Sequence, residues 1–323
     1  MQEPLRSGWL FPDSTVSPIT DIQNTNWHAI SAMWFHVSST GTLVLRNAAS
    51  HGQFHYNATR AQIVRDNSSL ALVNVSCANP TYMHAMCYNT TKRPAAINTL
   101  IDFVTTNNLD GVDIDFEGFA SFGPNMWTGY KVFLTELGNA LHNIGKVLYV
   151  EVPPIWNNTT TMGTGKEWME RNSQGYYPNF KYESFNTIPV DKVVIMAYDY
   201  HYDMTVGTPN QPLEWLRDIL KWAKTTITDD TRIVAGLPVA GYGGTTGSYA
   251  QTGAGYDWLV KQPGFNLTSR DASSSEIIWQ NADKSYALID QTALEDKIEV
   301  CVEEGIGEYM LWHIGGNLYG KDV

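Results

Sequence analysis

Residues 110–117 read DGVDIDFE, a run in which three acidic residues, Asp113, Asp115 and Glu117, alternate with apolar ones. Alternate residues of a β-strand point to the same face, so one face of this segment carries three carboxyl groups spaced roughly 7 Å apart. The opposite face is wholly apolar and suits packing beneath helices. Like charges in such a row push their pKa values apart, which prepares carboxyl groups for acid–base chemistry. The stretch therefore predicts a buried strand with a chemical site on one face.

An exposed edge strand or a calcium-binding loop would also place acids at this spacing. Edge strands more often set Lys or Thr opposite the acids. An EF-hand loop that begins at Asp113 requires a bidentate Glu at its twelfth position, where this chain has Pro124. The buried strand is therefore the interpretation that we adopt.

The composition is that of a globular chain with a large core. Of the 323 residues, 43% are hydrophobic and 17% are charged, which suits a domain of barrel size. The net charge of −12 and the pI near 5.0 repel nucleic-acid phosphates and anionic lipids. No stretch approaches the ~20 apolar residues of a membrane span. We therefore expect neither nucleic-acid nor membrane partners. We also expect a monomer.

Residues 1–3 do not resemble the start of a signal peptide, but the dense Asn-x-Ser/Thr sequences and the cysteines favour a secreted glycoprotein, so we expect one whose signal peptide has been removed. A cytosolic protein is the alternative. Cys77 and Cys87 could form one short-loop disulfide, with Cys301 as a core thiol, or all three cysteines could be reduced and buried. Asn-x-Ser/Thr sequences are dense and occur at Asn57, Asn67, Asn74, Asn89, Asn157, Asn158 and Asn266.

Apolar runs of strand length recur along the chain and alternate with helical patterns, several of which follow prolines that suit first helical turns. This order implies a parallel sheet with right-handed crossovers. Eight runs are present, the number that a closed (β/α)8 TIM barrel requires. They cover residues 5–10, 29–37, 70–76, 111–117, 147–153, 193–200, 233–237 and 308–312.

An open doubly wound sheet is the competing α/β architecture, but residues 241–247 do not complete the nucleotide-binding GxGxxG. We predict a single catalytic domain spanning residues 1–323. About 70 residues separate the seventh and eighth strands, too many for a loop and one helix. We therefore predict a small α+β insertion at 242–290, followed by a helix near 292–304.

The carboxyl ends of the strands of a parallel barrel face the mouth, where active sites lie. Glu117 is therefore expected at the rim, with Asp115 and then Asp113 descending into the barrel behind it. The apolar residues between them would pack outward against the helices.

Two other strands bring candidate residues to the same mouth. The sixth run, VVIMAYDY, places Met196 and Tyr198 at strand spacing, with Asp199 beside them. The eighth run ends in Trp312, whose large flat ring suits stacking on a sugar.

These segments resemble glycoside hydrolase family 18, the chitinase-like barrels. DGVDIDFE matches the family's DGxDxDxE signature at every specified position, and MAYD at 196–199 is similar to its MxYD. GLPVAGY at 236–242 is similar to the family's GxPxYG, with Ala240 in the usual aromatic place. The third strand departs, reading NVSC at 74–77 where many members have SxGG. Phe116 also replaces a more usual Trp or Tyr.

The resemblance implies substrate-assisted, retaining hydrolysis, in which the acetamido oxygen of the sugar attacks the anomeric carbon. Glu117 would be the general acid and base. Asp115 would orient the acetamido nitrogen, and Asp113 would share a proton with Asp115.

The same resemblance implies roles for the remaining site residues. Tyr198 would hydrogen-bond the acetamido group, and Asp199 would hold the sugar or its acetamido carbonyl. Trp312 would form the floor of the pocket, which Met196 would shape. Apart from the resemblance, His201 could support the site because it follows the Tyr198–Asp199 pair closely, and we suspect Trp9, Trp34 and Trp156 of lining further subsites.

The expected substrate and partner is a β-1,4-linked N-acetylglucosamine polysaccharide or oligosaccharide. Chitin or its oligomers are the first expectation, because the insertion would wall one side of the cleft. Peptidoglycan and the chitobiose core of N-glycans are the alternatives within the family. A catalytically silent lectin is the alternative from another class, although such proteins typically lose the acid and this chain keeps Glu117.

Signatures of other chemistries are missing from the sequence. It contains no HExxH, paired CxxC, GxSxG or Walker loop, and its eight histidines show no metal spacing. We therefore expect neither a metal nor a cofactor.

Overall fold

The computed structural model describes residues 3–12, 18–117, 124–155, 182–200, 206–248 and 252–316. Its strands, in chain order, are β1 (Leu5–Leu10), β2 (Trp27–Val37), β3 (Leu43–Leu45), β4 (Ser68–Cys77), β5 (Gly111–Phe116), β6 (Val147–Val152), β7 (Lys192–Ile195), β8 (Ile233–Pro238), β9 (Gly241–Thr245), β10 (Thr252–Ala254), β11 (Ser269–Arg270), β12 (Ile277–Gln280), β13 (Lys284–Leu288) and β14 (Glu308–Trp312).

The α-helices in these ranges are α1 (Ile19–Gln23), α2 (Ala58–Asp66), α3 (Pro80–Cys87), α4 (Lys92–Thr106), α5 (Pro124–His142), α6 (Leu213–Thr226), α7 (Tyr256–Leu259) and α8 (Gln291–Glu303). Short 3-10 helices lie at Ala49–His51, Tyr182–Asn186, Asp230–Arg232 and Phe265–Leu267. No helix in the described part of the chain has both the length and the apolar character needed to cross a membrane.

Eight parallel strands close into a barrel. Hydrogen-bonded neighbours run from β1 through β2, β4, β5, β6, β7, β8 and β14, and β14 pairs again with β1. The prediction of a (β/α)8 TIM barrel is therefore confirmed, and the open doubly wound sheet is excluded. The short strand β3 pairs antiparallel with the end of β2 and forms a hairpin that sequence patterns did not indicate.

The apolar face of β5 packs outward, as its alternation predicts. Val112, Ile114 and Phe116 are fully buried in the core between barrel and helices. Phe116 stacks on Phe133 of α5, with ring centroids 6.0 Å apart. Burying a side chain of this size stabilises the fold by about 1.5–3 kcal/mol. This packing fixes the face of β5, so Asp113 and Asp115 point into the barrel.

A second, smaller core fills the barrel interior. It is built from Trp9, Ala29, Leu72, Tyr149, Val194, Val234 and Met310, one residue from each of seven strands. Tyr198 and Trp312 pack against its upper end. The barrel is thus a packed core with the candidate site as its top layer.

The predicted insertion between the seventh and eighth barrel strands is also present. It contains a five-stranded antiparallel sheet in the order β10-β9-β13-β12-β11. Its own small core contains Leu259, Ile277, Trp279, Tyr286 and Leu288. Helix α8 follows it and leads into β14.

The sixth barrel strand is shorter than predicted. It ends at Ile195 instead of continuing to residue 200, because the Ala197 amide turns back to bond the Ile195 carbonyl at 2.8 Å. Asp199 then adopts a left-handed backbone with φ of 64°. Met196 and Tyr198 therefore lie in a turn after the strand and not at strand spacing.

The cysteines give no disulfide. Cys77, Cys87 and Cys301 are all free and buried, so the alternative of three reduced thiols is the one observed.

Candidate active site

The acidic face of β5 descends into the barrel from its mouth. Asp113 and Asp115 are 0% and 1% exposed, whereas Glu117 lies just beyond the strand end and is exposed. The Glu117 amide still donates to the Cys77 carbonyl of β4, at 2.9 Å, which fixes its backbone at the rim. The three carboxyl groups thus occupy the depths that their alternation predicts.

Neutral donors from three other strands converge on the innermost acid. Asp113 Oδ2 accepts hydrogen bonds from Ser31 Oγ at 2.6 Å, from Trp9 Nε1 at 3.2 Å and from Asn74 Nδ2 at 3.2 Å. Burial raises the pKa of Asp113, and these donors oppose the rise because they stabilise the anion. Hydrogen bonds from the protein therefore replace the water that Asp113 loses on burial.

A fourth carboxyl group, Glu151 of β6, belongs to the same cluster. It is 1% exposed, and its Oε1 accepts from Trp9 Nε1 and Asn74 Nδ2, both at 2.7 Å. Glu151 also hydrogen-bonds with Asp113 and Asp115. Sequence reasoning missed it, although an acid in the otherwise apolar strand VLYVEV, two residues after the inward-facing Tyr149, was a usable signal.

The register of the strands explains this convergence. Asn74 of β4 is paired with Asp113, and Ser76 with Asp115. On the other side, β6 pairs Tyr149 with Asp113 and Val150 with Ile114. Glu151 comes next, so it lies at the level of Asp115.

Crowding of acids raises several pKa values. Desolvation raises the pKa of Asp115 well above its usual range, with further contributions from Glu117 and Asp113. Desolvation, followed by the charges of Asp115 and Asp113, does the same to the pKa of Glu151. Although solvent reaches Glu117, the protein around it displaces enough water to raise its pKa as well. The cluster therefore retains protons at pH values where free carboxyl groups are ionised.

One cation lies near the rim of this cluster. Arg46, which follows β3, donates from Nη2 to Ser76 Oγ at 3.1 Å, and its charge lowers the pKa of Asp115. Arg46 was not a sequence-based candidate, because its proximity depends on the unpredicted β2–β3 hairpin.

Tyr198 and Asp199 face the site from the turn after β7. The Tyr198 ring lies edge-on to Trp9, with centroids 6.4 Å apart. A Cβ at Gly236 would lie 3.2 Å from Tyr198 Cε1, so this glycine lets the ring approach β8 closely. Desolvation raises the pKa of Asp199 to about 7, against a hydrogen bond from Tyr242. Tyr242 is a further residue that sequence reasoning did not select.

A side-chain bridge fixes the Asp199 turn. Asn210 Oδ1 accepts from the Asp199 amide at 2.6 Å, while the backbone amides of Asn210 and Gln211 each donate to Glu276 at 2.7 Å. Glu276 in turn pairs with Lys297 of α8 at 3.3 Å, and both side chains are fully buried. The site turn is thus anchored to the insertion and to α8.

Trp312 lies between two cavities at the mouth, and it lines both of them together with Phe11. The cavity on the insertion side, of about 450 Å³, is lined by Tyr198, Asp199, Tyr242 and Trp258, among others. The cavity on the opposite side, of about 420 Å³, is lined by Arg46, Tyr82, Asp115 and Glu117, among others. Trp312 therefore forms a common floor at the point where the two halves of the cleft meet.

Several suspected residues lie elsewhere. Trp9 and Trp34 are 0% and 1% exposed, so neither offers a ring face to a sugar. Trp9 donates to the acid cluster, and Trp34 bonds the Phe54 carbonyl in the core. Met196 packs against the outer core and lines neither cavity, so its substrate role stays a prediction. Trp156 and His201 lie outside the described residues.

The residues present suit acid–base chemistry on a carbohydrate. Buried acids stand behind an exposed one, a phenol and a second acid face them, and an aromatic floor lies between. Within the described ranges, no group of three or more His, Cys, Asp or Glu side chains is arranged to hold a metal ion.

A barrel with this arrangement of acids and aromatic residues at its mouth is typical of a glycosidase. The model of the family described as glycosyl hydrolases family 18 matches residues 14–317, and the chain belongs to this family. A search of characterised proteins found the putative sporulation-specific glycosylase YdhD of Bacillus subtilis, 24% identical over 268 residues. The match covers 82% of this chain but only 54% of YdhD, so the chain spans about half the length of that relative.

Solved structures share the fold. The spore cortex-lytic enzyme SleL of Bacillus cereus superposes with a TM-score of 0.78 at 16% identity, covering 99% of this chain and 73% of SleL. The class V chitinase of Nicotiana tobaccum superposes with a TM-score of 0.77 at 16% identity, covering 98% and 95% of the two chains. A mutant of that chitinase has been solved in complex with NAG4.

Proposed function

We propose that this protein hydrolyses β-1,4-linked N-acetylglucosamine glycans, with chitin or chitooligosaccharides as the first candidate substrates. The observation that carries the proposal is the exposed Glu117 with Asp115 buried directly behind it. Both side chains line the same cavity, which has Trp312 as its floor. The NAG4 complex of the tobacco chitinase, a member of the same fold, supports a ligand of this class.

Glu117 is proposed to protonate the leaving oxygen and later to activate water. Its raised pKa keeps a larger fraction in the acid form near neutrality, as general acid catalysis requires. The anomeric carbon is attacked by the acetamido oxygen of the same sugar, so the anomeric configuration is retained. Asp115 orients the acetamido N–H and balances the positive charge that develops on the ring.

The opposite wall is proposed to hold the sugar. Tyr198 and Asp199 both line the insertion-side cavity beside Trp312. The Tyr198 hydroxyl would donate to the acetamido oxygen, and Asp199 would bond a sugar hydroxyl or the acetamido group. Stacking on Trp312 would fix the plane of the ring. A glycan without a 2-acetamido group lacks the internal nucleophile and should not be cleaved.

The test compares the parent with Glu117→Gln on chitooligosaccharides, peptidoglycan and a high-mannose glycoprotein. Glu117→Gln should abolish hydrolysis while oligosaccharide binding persists. Retention is checked by NMR of the first product anomer, and Glu295→Gln, an exposed acid on α8, serves as the matched control. A parent that binds oligosaccharide but cleaves none of the three substrates would establish the silent lectin instead.

Peptidoglycan is the second candidate, and Arg46 favours it. Its guanidinium lines the cavity that holds Glu117, where it could pair with the lactyl carboxylate of N-acetylmuramic acid. The names of YdhD and SleL, a sporulation glycosylase and a spore cortex-lytic enzyme, agree with this candidate. Arg46→Gln should then lower kcat/KM on peptidoglycan more than on chitooligosaccharides, while Arg46→Lys should keep part of the difference. Equal losses of kcat/KM on both substrates would contradict the proposed role of Arg46 in peptidoglycan binding.

We also propose that the protein acts outside the cell and is N-glycosylated. Asn57, Asn89 and Asn266 are exposed, whereas Asn74 is fully buried and cannot be an acceptor in the folded protein. Protein from its natural source should lose mass when N-glycans are removed enzymatically. An unchanged mass would contradict the proposal.

A further inference from the structure

Glu151 is a buried carboxyl group to which the proposed reaction gives no role. It lies on β6 at the level of Asp115, and it hydrogen-bonds with both Asp113 and Asp115. A buried acid is costly unless it is neutral or well paired. The position of this acid in the centre of the barrel therefore calls for an explanation.

The buried acid cluster cannot carry a negative charge on every member. Asp113, Asp115 and Glu151 are each at most 1% exposed. Among the described residues, none of the three forms an ion pair with a Lys or Arg, and Arg46 acts on Asp115 only through its field. Three anions in mutual contact without a paired cation cannot persist in a low-dielectric interior. At least one of the three must hold a proton.

The contact between Asp113 and Glu151 indicates which acid holds the proton. Asp113 Oδ2 accepts from Ser31 Oγ at 2.6 Å, and it shares the N–H donors of Trp9 and Asn74 with Glu151 Oε1, so the two acids lie side by side. The hydrogen bond between them lowers the pKa of Asp113 and raises that of Glu151, so the proton lies on Glu151. Its Oε2 is then the hydroxyl and can donate. Asp113 Oδ1 and Asp115 Oδ1 are buried oxygens that no amide or hydroxyl donor reaches in the described structure, so each can accept that hydrogen.

We propose that Glu151 is a positioning residue that keeps a proton in the acid cluster and donates its hydrogen bond to Asp113 or to Asp115. The proton stays on Glu151 throughout, so no bond to substrate forms or breaks in this step. Asp115 can therefore remain ionised for the substrate while only one of its two buried neighbours, Asp113, carries a charge.

The kinetic part of this inference rests on the proposed function, whereas the protonation state can be measured without any substrate. Infrared difference spectra over a pH titration report protonated carboxyl groups directly. The parent should keep a protonated carboxyl band at neutral pH that Glu151→Gln lacks. Glu308→Gln is the matched control, because Glu308 is equally buried but lies within 3.1 Å of the Lys192 ammonium. The band should survive in this control.

The kinetic arm compares two substitutions at residue 151. Glu151→Gln keeps an acceptor and a donor in place and should retain kcat within about tenfold, a smaller loss than the ~100-fold cost of misplacing a reacting group. The pH profile of kcat for this variant should also lack one ionisation on its alkaline limb. Glu151→Leu removes both hydrogen-bonding functions and should lower kcat by about 100-fold, with a smaller change in KM.

Three results would overturn the proposal: an unchanged band in Glu151→Gln, equal kinetic losses in the Gln and Leu variants, or an unaltered alkaline limb in Glu151→Gln. If Glu151→Leu fails to fold, the infrared comparison and the Glu151→Gln profile still decide. If the parent hydrolyses no glycan, the proposed function fails while the band still tests the proton on Glu151.

Discussion

The buried ion pair between Lys297 and Glu276 offers a quantitative test of how the insertion supports the site. Both side chains are 0% exposed, and the Nζ to Oε1 distance is 3.3 Å. Burial lowers the pKa of Lys297, against the attraction of Glu276. At this distance and an effective dielectric constant of about 20, the Coulomb attraction is about 5 kcal/mol. Lys297→Met removes that attraction. The buried Glu276 carboxylate then keeps its backbone hydrogen-bond donors but has no cation beside it.

We expect Lys297→Met to lower the free energy of unfolding by about 3–5 kcal/mol, because a buried charge loses its partner. Urea titration followed by circular dichroism measures this quantity. Lys221→Met on α6 is the matched control, since its ion pair with Glu304 is 3.9 Å long and its side chain is 57% exposed. The control should lose no more than about 1 kcal/mol. The double variant Lys297→Met/Glu276→Gln should recover part of the loss.

The same substitution should reach the site. Glu276 accepts from the amides of Asn210 and Gln211, and Asn210 holds the Asp199 amide. A shift of Glu276 therefore displaces Asp199, and KM should rise more than kcat falls. A loss of stability no greater than that of the Lys221 control would refute the reasoning, because the pair would then contribute no more than a surface contact.

Two further predictions concern pH and packing. The folded pKa of Asp199, about 7, lies above its unfolded value of 3.8, so the folded state binds the extra proton and stability should fall as pH rises from 4 to 7. The free energy of unfolding should fall by at most about 4 kcal/mol for this shift in pKa. Urea titrations over a pH series measure this dependence, and Asp199→Asn should remove it. If the variant keeps the pH dependence of the parent, the assignment to Asp199 is contradicted. Gly241→Ala should cost about 1–3 kcal/mol or more in the same assay, because its Cβ would lie 1.9 Å from the Ala287 carbonyl oxygen. Gly307→Ala, whose Cβ meets nothing within 4 Å, is the control and should show a much smaller loss.

The sequence indicated the barrel and the acid row because both depend on short-range periodicity. The two-residue alternation in β5 decides which side chains face inward, and neighbouring strands do not alter that rule. Eight strand-length runs then left a closed barrel as the simplest parallel arrangement. The gap before the eighth run was long enough to require the insertion by length alone.

Other parts of the site depend on register and turns, which the apolar pattern does not encode. Glu151 becomes part of the site only because β6 pairs with β5 so that it reaches the level of Asp115. Trp9 looked like a sugar platform, yet its inward direction makes it a donor to two acids. The apolar run through residue 200 suggested a longer strand, because nothing in its composition marks the turn at Ala197.

These contacts also change the interpretation of the insertion. Its length suggested a wall for a long substrate, and Tyr242 and Trp258 do line the cleft. Glu276, however, lies beneath that surface and binds the backbone that orients Asp199. Burial raises the pKa of Asp199 to about 7. A shift of the insertion would therefore change both the position and the charge of Asp199. The insertion therefore acts on the chemistry of the site through Glu276, as well as on the shape of the cleft.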